Sequence, residues 1–190
     1  MLLSSRYLAI FFCCTLFWLL PFTVYADDLA TEVIDAEITL QKDHYVLAAD
    51  IAYQLSKKAT IALQSGVPLY WSLQIKLLQH RPYLWNKTLL KTDIHYRLQY
   101  QALLNVYRVQ NLSNGETYNF STLYAALDLM SEIQDFPLIE KSKISPEEDY
   151  LCALKVKFDR GLLPVPLRSI AYIDKQWYLS SDWTLWPLKK

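Results

Sequence analysis

The sequence predicts a mainly β protein, an antiparallel β-sandwich that is immunoglobulin-like in broad architecture and carries two short helices. The first observation is alternation of apolar and polar residues, which is longest over residues 67–111. A strand turns successive side chains to opposite faces, so this pattern indicates sheets with one buried face. The second observation is the number of such runs between turn residues, which predicts about seven to nine strands.

The chain begins with a predicted processing segment. An apolar stretch covers residues 7–20, and Val24-Tyr25-Ala26 has the small residues of a cleavage site, so we expect cleavage after Ala26. Residues 1–26 are then a secretory signal, residues 27–190 form a single β-rich domain, and the protein is exported to the periplasm. An inner-membrane anchor formed by residues 7–22 is the alternative, although a comfortable span needs about 20 apolar residues.

The first half of the domain predicts a hairpin, a helix and a long sheet. Residues 34–53 alternate around a Lys42-Asp43 turn, and Ser56 is placed to cap a short helix that ends before Gly66. In the next strand one face is apolar, with Trp71, Leu73, Ile75 and Leu77. The following strand repeats this pattern with Ile94, Tyr96, Leu98, Tyr100 and Ala102. An irregular aromatic link, residues 80–87, joins the two.

The second half predicts more strands around one helix. A strand over residues 104–112 leads to a turn at Asn114-Gly115, whose residues tolerate positive φ. Ser121 is expected to cap a helix whose apolar stripe has Ile133 beside it. Further strands are predicted over residues 150–159, 167–173 and 177–186.

Composition argues against nucleic acid as a partner. Lys and Arg total 19 and Asp and Glu total 19, which gives a formal net charge of +0. A chain without net positive charge has no global field to attract a phosphate backbone. Hydrophobic residues make up 53% of the chain, which indicates a folded core and not a disordered segment.

No catalytic, cofactor-binding or metal-binding constellation emerges from the sequence. The histidines His44, His80 and His95 lack metal-ligand spacing. Cys152 shares the apolar face of its predicted strand with Leu154, Val156 and Phe158, which predicts a buried and inert thiol. Asp50 lies between alanines, and we expect a Lys or Arg partner for it. An enzyme with a site near Asp50 or His80 is a third hypothesis, and it requires the two to converge on one pocket.

Two aromatic groupings are candidate interaction surfaces, because Trp and Arg are preferred anchors at interfaces. The first is in the irregular link and contains Arg81 and Trp85; the second is at the C-terminal end and contains Trp177, Trp183 and Trp186. The alternative is that these rings fill the open ends of the sandwich.

The C-terminal segments 162–167 and 177–183, together with Tyr96-Arg97-Leu98-Gln99-Tyr100 and Phe120-Ser121-Thr122-Leu123, resemble an uncharacterised proteobacterial family of exported proteins. It is known as domain of unknown function family 4390, and the similarity extends over residues 32–186. The resemblance implies no activity and no functional residues. Genes of the family often lie near a membrane sensor histidine kinase, which implies a role in envelope signalling.

These observations predict a non-enzymatic periplasmic module that presents a surface to an envelope or inner-membrane protein such as a sensor kinase. The alternative is a periplasmic binder of a lipid or peptide ligand in a cleft between the sheets. Neither prediction involves a cofactor or nucleic acid, and membrane contact is expected only through an uncleaved signal segment.

Overall fold

The computed structural model describes residues 31–189, so the predicted signal segment and its cleavage site lie outside the described residues. The described strands are β1 (Glu32–Gln41), β2 (His44–Ala52), β3 (Leu69–Gln79), β4 (Lys87–Gln101), β5 (Val106–Asn111), β6 (Thr117–Phe120), β7 (Glu132–Glu140), β8 (Tyr150–Phe158) and β9 (Thr184–Pro187). The α-helices are α1 (Lys57–Gln64), α2 (Leu123–Ser131) and α3 (Val165–Ile173). Short 3₁₀ turns cover Lys141–Lys143, Arg160–Leu162 and Lys175–Trp177.

The strands form two antiparallel sheets. One has three strands in the order β1-β2-β7, and the other has six in the order β6-β5-β4-β3-β8-β9. The longest alternating stretch of the sequence becomes β3 and β4 at the centre of the larger sheet. The prediction of a mainly β, antiparallel two-sheet fold is therefore confirmed.

The core lies between the two sheets and is organised around β3. The apolar face predicted for this strand is buried, with Trp71, Leu73, Ile75 and Leu77 at most 1% exposed. The Trp71 ring meets the Tyr53 ring edge to face, with centroids 5.9 Å apart, and the Phe158 ring at 5.1 Å. Burying each such side chain contributes about 1.5–3 kcal/mol, so β3 supplies a large share of the folding free energy.

Local signals in the sequence explain the elements around the core. The Ser56 hydroxyl accepts a hydrogen bond from the Ala59 amide at 3.1 Å, as predicted for the cap of α1. Gly66 has a φ of 88°, which suits glycine at the end of that helix. The predicted β1–β2 hairpin forms with Gln41 opposite His44.

The C-terminal prediction needs correction, because residues 167–173 are helical and not a strand. Pro164 precedes the helix, and Pro166 lies in its first turn, where a missing amide hydrogen costs nothing. The predicted strand over residues 177–186 is reduced to β9. Residues 31–189 thus hold three α-helices and not two, and none of the three has the length and apolarity to cross a bilayer.

Strand β7 was missed because its first residues continue the apolar pattern of α2. The helix is capped by the Thr122 hydroxyl, which accepts from the Ala125 amide at 3.2 Å, and not by Ser121. It ends at Ser131, and Ile133 belongs to β7. Pro137 is tolerated there because β7 is an edge strand, which is where sheets accommodate proline.

Candidate functional site

The outer face of the six-stranded sheet is basic. Its strands place six cationic side chains there, namely Lys76, Lys91, Arg97, Arg108, Lys155 and Lys157. Asp93 of β4 shares this face, opposite Gln74. A surface of one dominant sign raises the local concentration of ligands of the opposite sign, although the whole chain is neutral.

The outer face of the three-stranded sheet is acidic. Asp50 lies directly opposite Asp35 on one side and Glu132 on the other, and all three are exposed. Like charges in directly opposite positions destabilise a sheet by a few tenths of a kcal/mol or more. The expected Lys or Arg partner for Asp50 is therefore wrong, since its cross-strand neighbours in the described part of the chain are carboxylates.

A cavity of about 450 Å³ opens on the basic face beside the second half of β8. We call it the aromatic-basic groove and define it by Lys155, Lys157, Arg160, Tyr172, Tyr178 and Trp183, all of which line it. Three of these residues are cations and three are aromatic. The groove therefore offers both charge and flat apolar surface to a ligand.

Four separate segments bring these side chains together. Strand β8 supplies the two lysines, the 3₁₀ turn after it supplies Arg160, α3 supplies Tyr172, and the connection from α3 to β9 supplies Tyr178 and Trp183. The Arg160 guanidinium lies 4.9 Å from the Tyr172 ring centroid and 4.7 Å from that of Tyr178. Its Nη1 donates to the Ala171 carbonyl at 3.3 Å. Cation–π contacts of this kind contribute about 0.5–1 kcal/mol each at exposed sites, so the arginine is held in position.

The far wall of the groove is fixed to the edge of β8 by two serines. The Ser181 hydroxyl accepts from the Val156 amide at 2.8 Å, and the Ser180 hydroxyl accepts from the Phe158 amide at 2.9 Å. These bonds replace strand pairing where β9 has not yet begun. They hold Trp183 over the sheet, where the Lys76 Nζ lies 4.0 Å from its ring centroid.

The groove is suited to binding anions. Lysine ammonium groups and an arginine guanidinium donate hydrogen bonds to carboxylate or phosphate oxygens, and Arg can do so through two bonds at once. The Asp159 carboxylate, which also lines the groove, accepts from the Gly161 amide at 3.0 Å. The negative charge of Asp159 is therefore partly compensated by a hydrogen bond within its own turn.

The candidate catalytic side chains from the sequence do not converge on one site within residues 31–189. Cys152 is fully buried, and burial raises the pKa of its thiol to about 12, so almost none of it is thiolate at neutral pH. His80 lies in the β3–β4 turn of the larger sheet and Asp50 lies in β2 of the smaller sheet, and both are exposed. No group of three or more His, Cys, Asp or Glu side chains in this part of the chain is arranged to hold a metal ion.

The residues predicted to form interaction surfaces differ in how exposed they are. Trp183 lines the aromatic-basic groove, whereas Trp177 is only 1% exposed and stacks on Phe158 with centroids 6.2 Å apart. The expectation that Trp177 forms a surface is therefore wrong. Trp186 is partly buried opposite Cys152 and packs against the core.

Arg81 and Trp85 lie in the β3–β4 turn, at the other end of β3 from the point where β8 ends. The turn and the groove are thus separate places on one sheet.

Sequence reasoning missed five of the six groove residues. Lys155 and Lys157 were visible as the polar side of a predicted strand, but that pattern alone indicates only a solvated face. Arg160, Tyr172 and Tyr178 gave no signal, because only the folded connection between β8 and β9 brings them together.

Comparisons with known proteins give one positive result. No curated protein and no solved structure matches the chain. The family described as Domain of unknown function (DUF4390) matches residues 29–187, which is most of the chain and agrees with the resemblance in the sequence motifs. This chain therefore belongs to the family Domain of unknown function (DUF4390).

Proposed function

We propose that the chain is an exported, periplasmic, non-enzymatic module that binds an acidic segment of a protein partner in its aromatic-basic groove. The observation that supports this most is the joining of Lys155, Lys157 and Arg160 to three aromatic rings in one cavity. Trp, Tyr and Arg are the residue types that most often dominate binding energy at protein interfaces.

Charge complementarity supports an acidic ligand. The groove lies on a face where cations outnumber carboxylates, while the other outer face is acidic. An acidic segment is therefore drawn to one side of the molecule and repelled by the other. Such complementarity sets orientation and association rate more than final affinity.

An envelope protein is the proposed class of partner, with an inner-membrane sensor kinase as the specific candidate. The support is the predicted secretory signal in residues 1–26 and the neighbouring genes that the family resemblance implies. Binding of this kind would place the module in envelope signalling.

The test compares two double charge reversals of equal size. Lys155→Glu/Lys157→Glu alters the groove, and Lys141→Glu/Lys143→Glu alters exposed lysines of a 3₁₀ turn between β7 and β8. A fluorescein-labelled peptide of ten residues, mostly glutamate, is titrated against each protein. We expect affinity to fall at least about tenfold in the groove variant, since one factor of ten corresponds to about 1.4 kcal/mol, and to stay within about twofold in the control.

Cross-linking in envelope membranes extends this test to the natural partner. A protein captured by the wild type and by the control, but not by the groove variant, supports the proposal. Equal peptide affinities in all three proteins would contradict it.

A second candidate function rests on a different cavity. About 300 Å³ opens between the sheets beside β7, lined in part by Ile94, Tyr96, Ile133 and Phe136. This is near the lower end of the volumes that small-ligand sites have, so a short peptide side chain or one lipid tail end fits better than a whole lipid. Mass spectrometry of organic extracts of the purified protein, with thermal shifts on adding envelope lipids or peptides, tests it; an empty extract and no shift would argue against it.

A further inference from the structure

The β3–β4 turn presents three bulky apolar residues to solvent. Tyr83 is 103% exposed, Leu84 66% and Trp85 92%, relative to the fully exposed residue type. We call these three residues the apolar tip. Single exposed apolar residues are ordinary, but three in succession at the end of a hairpin form a projecting contact surface.

The tip is held in a defined shape. Tyr83 adopts a φ of 70°, and the Leu84 amide donates to the Arg81 carbonyl at 3.4 Å, which closes a tight turn. At its base, His80 Nδ1 lies 3.2 Å from Asn86 Oδ1. The His80 amide also donates to the Asp149 carbonyl at 2.8 Å. Because these bonds already order the turn, it loses less conformational entropy on binding than a flexible loop would.

Polarity changes in order along the sheet away from the tip. On the outer face the first row contains Leu78 beside Leu151, which pairs in turn with Pro187. The next row contains Lys76 beside Lys91. Two residues of a strand span about 7 Å, so the lysines stand about one headgroup layer behind the apolar row, since that layer is about 5–7 Å thick on each side of a bilayer.

Nearby acids limit the part that net charge can play. Glu147, Glu148 and Asp149 are exposed in the connection that leads to β8, next to the base of the turn. They offset the cations Arg81 and Lys87. Attraction to a surface through this end of the molecule must therefore come mainly from the apolar tip and not from an excess of positive charge.

We propose that the apolar tip inserts into the interfacial layer of a phospholipid bilayer, with Lys76 and Lys91 at the level of the phosphates. Trp and Tyr favour this layer because their rings are apolar and their N–H and O–H groups remain hydrated. Long lysine side chains reach polar groups while their stems cover apolar surface. The order of apolar tip, apolar row and lysine row follows the polarity of a bilayer surface, which favours lipid as the occupant.

This inference does not depend on the aromatic-basic groove. It extends the expectation from sequence, which confined membrane contact to residues 7–22. Bilayer contact through the tip would leave Arg160, at the far end of the groove, near the start of β3 and away from the inserted residues.

The test reads insertion at Trp85 itself, because the apolar residues 7–20 could attach the full chain to vesicles by another route. The full-length protein is mixed with phosphatidylcholine vesicles that carry bromine on their acyl chains. The emission of Trp85 is obtained as the difference between the wild type and Trp85→Phe. We expect the brominated lipid to quench at least about half of that difference signal.

Two variants keep Trp85 as the reporter and distinguish insertion of the tip from nonspecific hydrophobic adsorption. Tyr83→Ser/Leu84→Ser weakens the tip, and we expect at least about a tenfold higher lipid concentration for half-maximal quenching, from the burial energy of two apolar side chains. Leu103→Ser/Leu104→Ser removes two leucines that are 102% and 64% exposed in the β4–β5 turn, at the opposite end of β4. This control should stay within about twofold of the wild type.

The result that overturns the proposal is equally direct. A Trp85 signal that brominated vesicles leave unquenched at saturating lipid excludes insertion. The tip would then be a surface that docks into a pocket of a protein partner. Equal shifts in both double variants would also refute a specific role for the tip.

Discussion

Two tryptophans that look alike in the sequence should differ sharply in their effect on stability. Trp177 is 1% exposed, whereas Trp183 is 38% exposed at the edge of the aromatic-basic groove. Replacing a buried Trp by Ala costs about 3–5 kcal/mol. Within residues 31–189 the buried Nε1 of Trp177 has no hydrogen-bond partner, so its removal returns about 1 kcal/mol and the expected loss is about 3 kcal/mol.

For Trp183→Ala the expected loss is about 1 kcal/mol. The substitution removes the contact with Lys76, which is worth about 0.5–1 kcal/mol, and some apolar area that is already partly hydrated. Urea unfolding followed by circular dichroism gives the free energy of unfolding of each variant. Equal losses for Trp177→Ala and Trp183→Ala, or a loss below about 1.5 kcal/mol for the first, would refute the assignment of core and surface.

Three more outcomes are expected. Cys152 should resist N-ethylmaleimide at pH 8 in the folded protein and react once urea unfolds it, because burial raises its thiol pKa to about 12. Peptide mass spectrometry measures the labelling of this cysteine alone. Rapid labelling of the native protein would contradict its burial. The Asp174 pKa is lowered by the hydrogen bond from Lys58, so the stabilisation is present above the unfolded carboxyl pKa and is lost as pH falls through the lower folded value. Urea unfolding of Asp174→Asn should therefore show a deficit at pH 7 that closes toward pH 2, and a pH-independent deficit would count against the ion pair. Gly66→Ala should cost about 1 kcal/mol through its φ of 88° alone, since nothing lies within 4 Å of the added methyl group; Gly66→Asn should cost less, and the reverse order would be evidence against strain.

The sheets could be predicted because their signal is local. In β3 and β4 the buried apolar residues lie two positions apart, so burial of one face shows directly in the sequence. Turn and cap residues such as Ser56 and Gly66 act within three or four positions of themselves. These features therefore appeared at the expected places.

The wrong predictions concern segments whose pattern of apolar residues is compatible with both a helix and a strand. The segment that forms α3 buries Ala171 and half-buries Leu167, four positions apart, but exposed apolar residues such as Ile170 and Ile173 imitate a strand. Strand β7 contains Pro137, which argues against a central strand and is compatible only with an edge. Knowing that β7 is an edge requires the fold.

The candidate site could not be predicted for a related reason. Arg160, Tyr172 and Tyr178 become neighbours only because the connection after β8 folds back over the sheet. By contrast, the exposed Trp85 was found from sequence, since the aromatic link departs from any regular pattern. Local irregularity is visible in a sequence, whereas contacts between distant segments are not.

The opposite signs of the two outer faces have a consequence for how the molecule behaves in bulk. A net charge of +0 suggests a protein indifferent to electric fields, yet Lys155 and Lys157 on one face and Asp50 and Glu132 on the other give it a large dipole moment. We expect such a molecule to adsorb to both cation- and anion-exchange resins at a single pH near 7. At low ionic strength we expect its copies to attract one another head to tail, and salt that screens charges beyond about 10 Å to weaken that attraction.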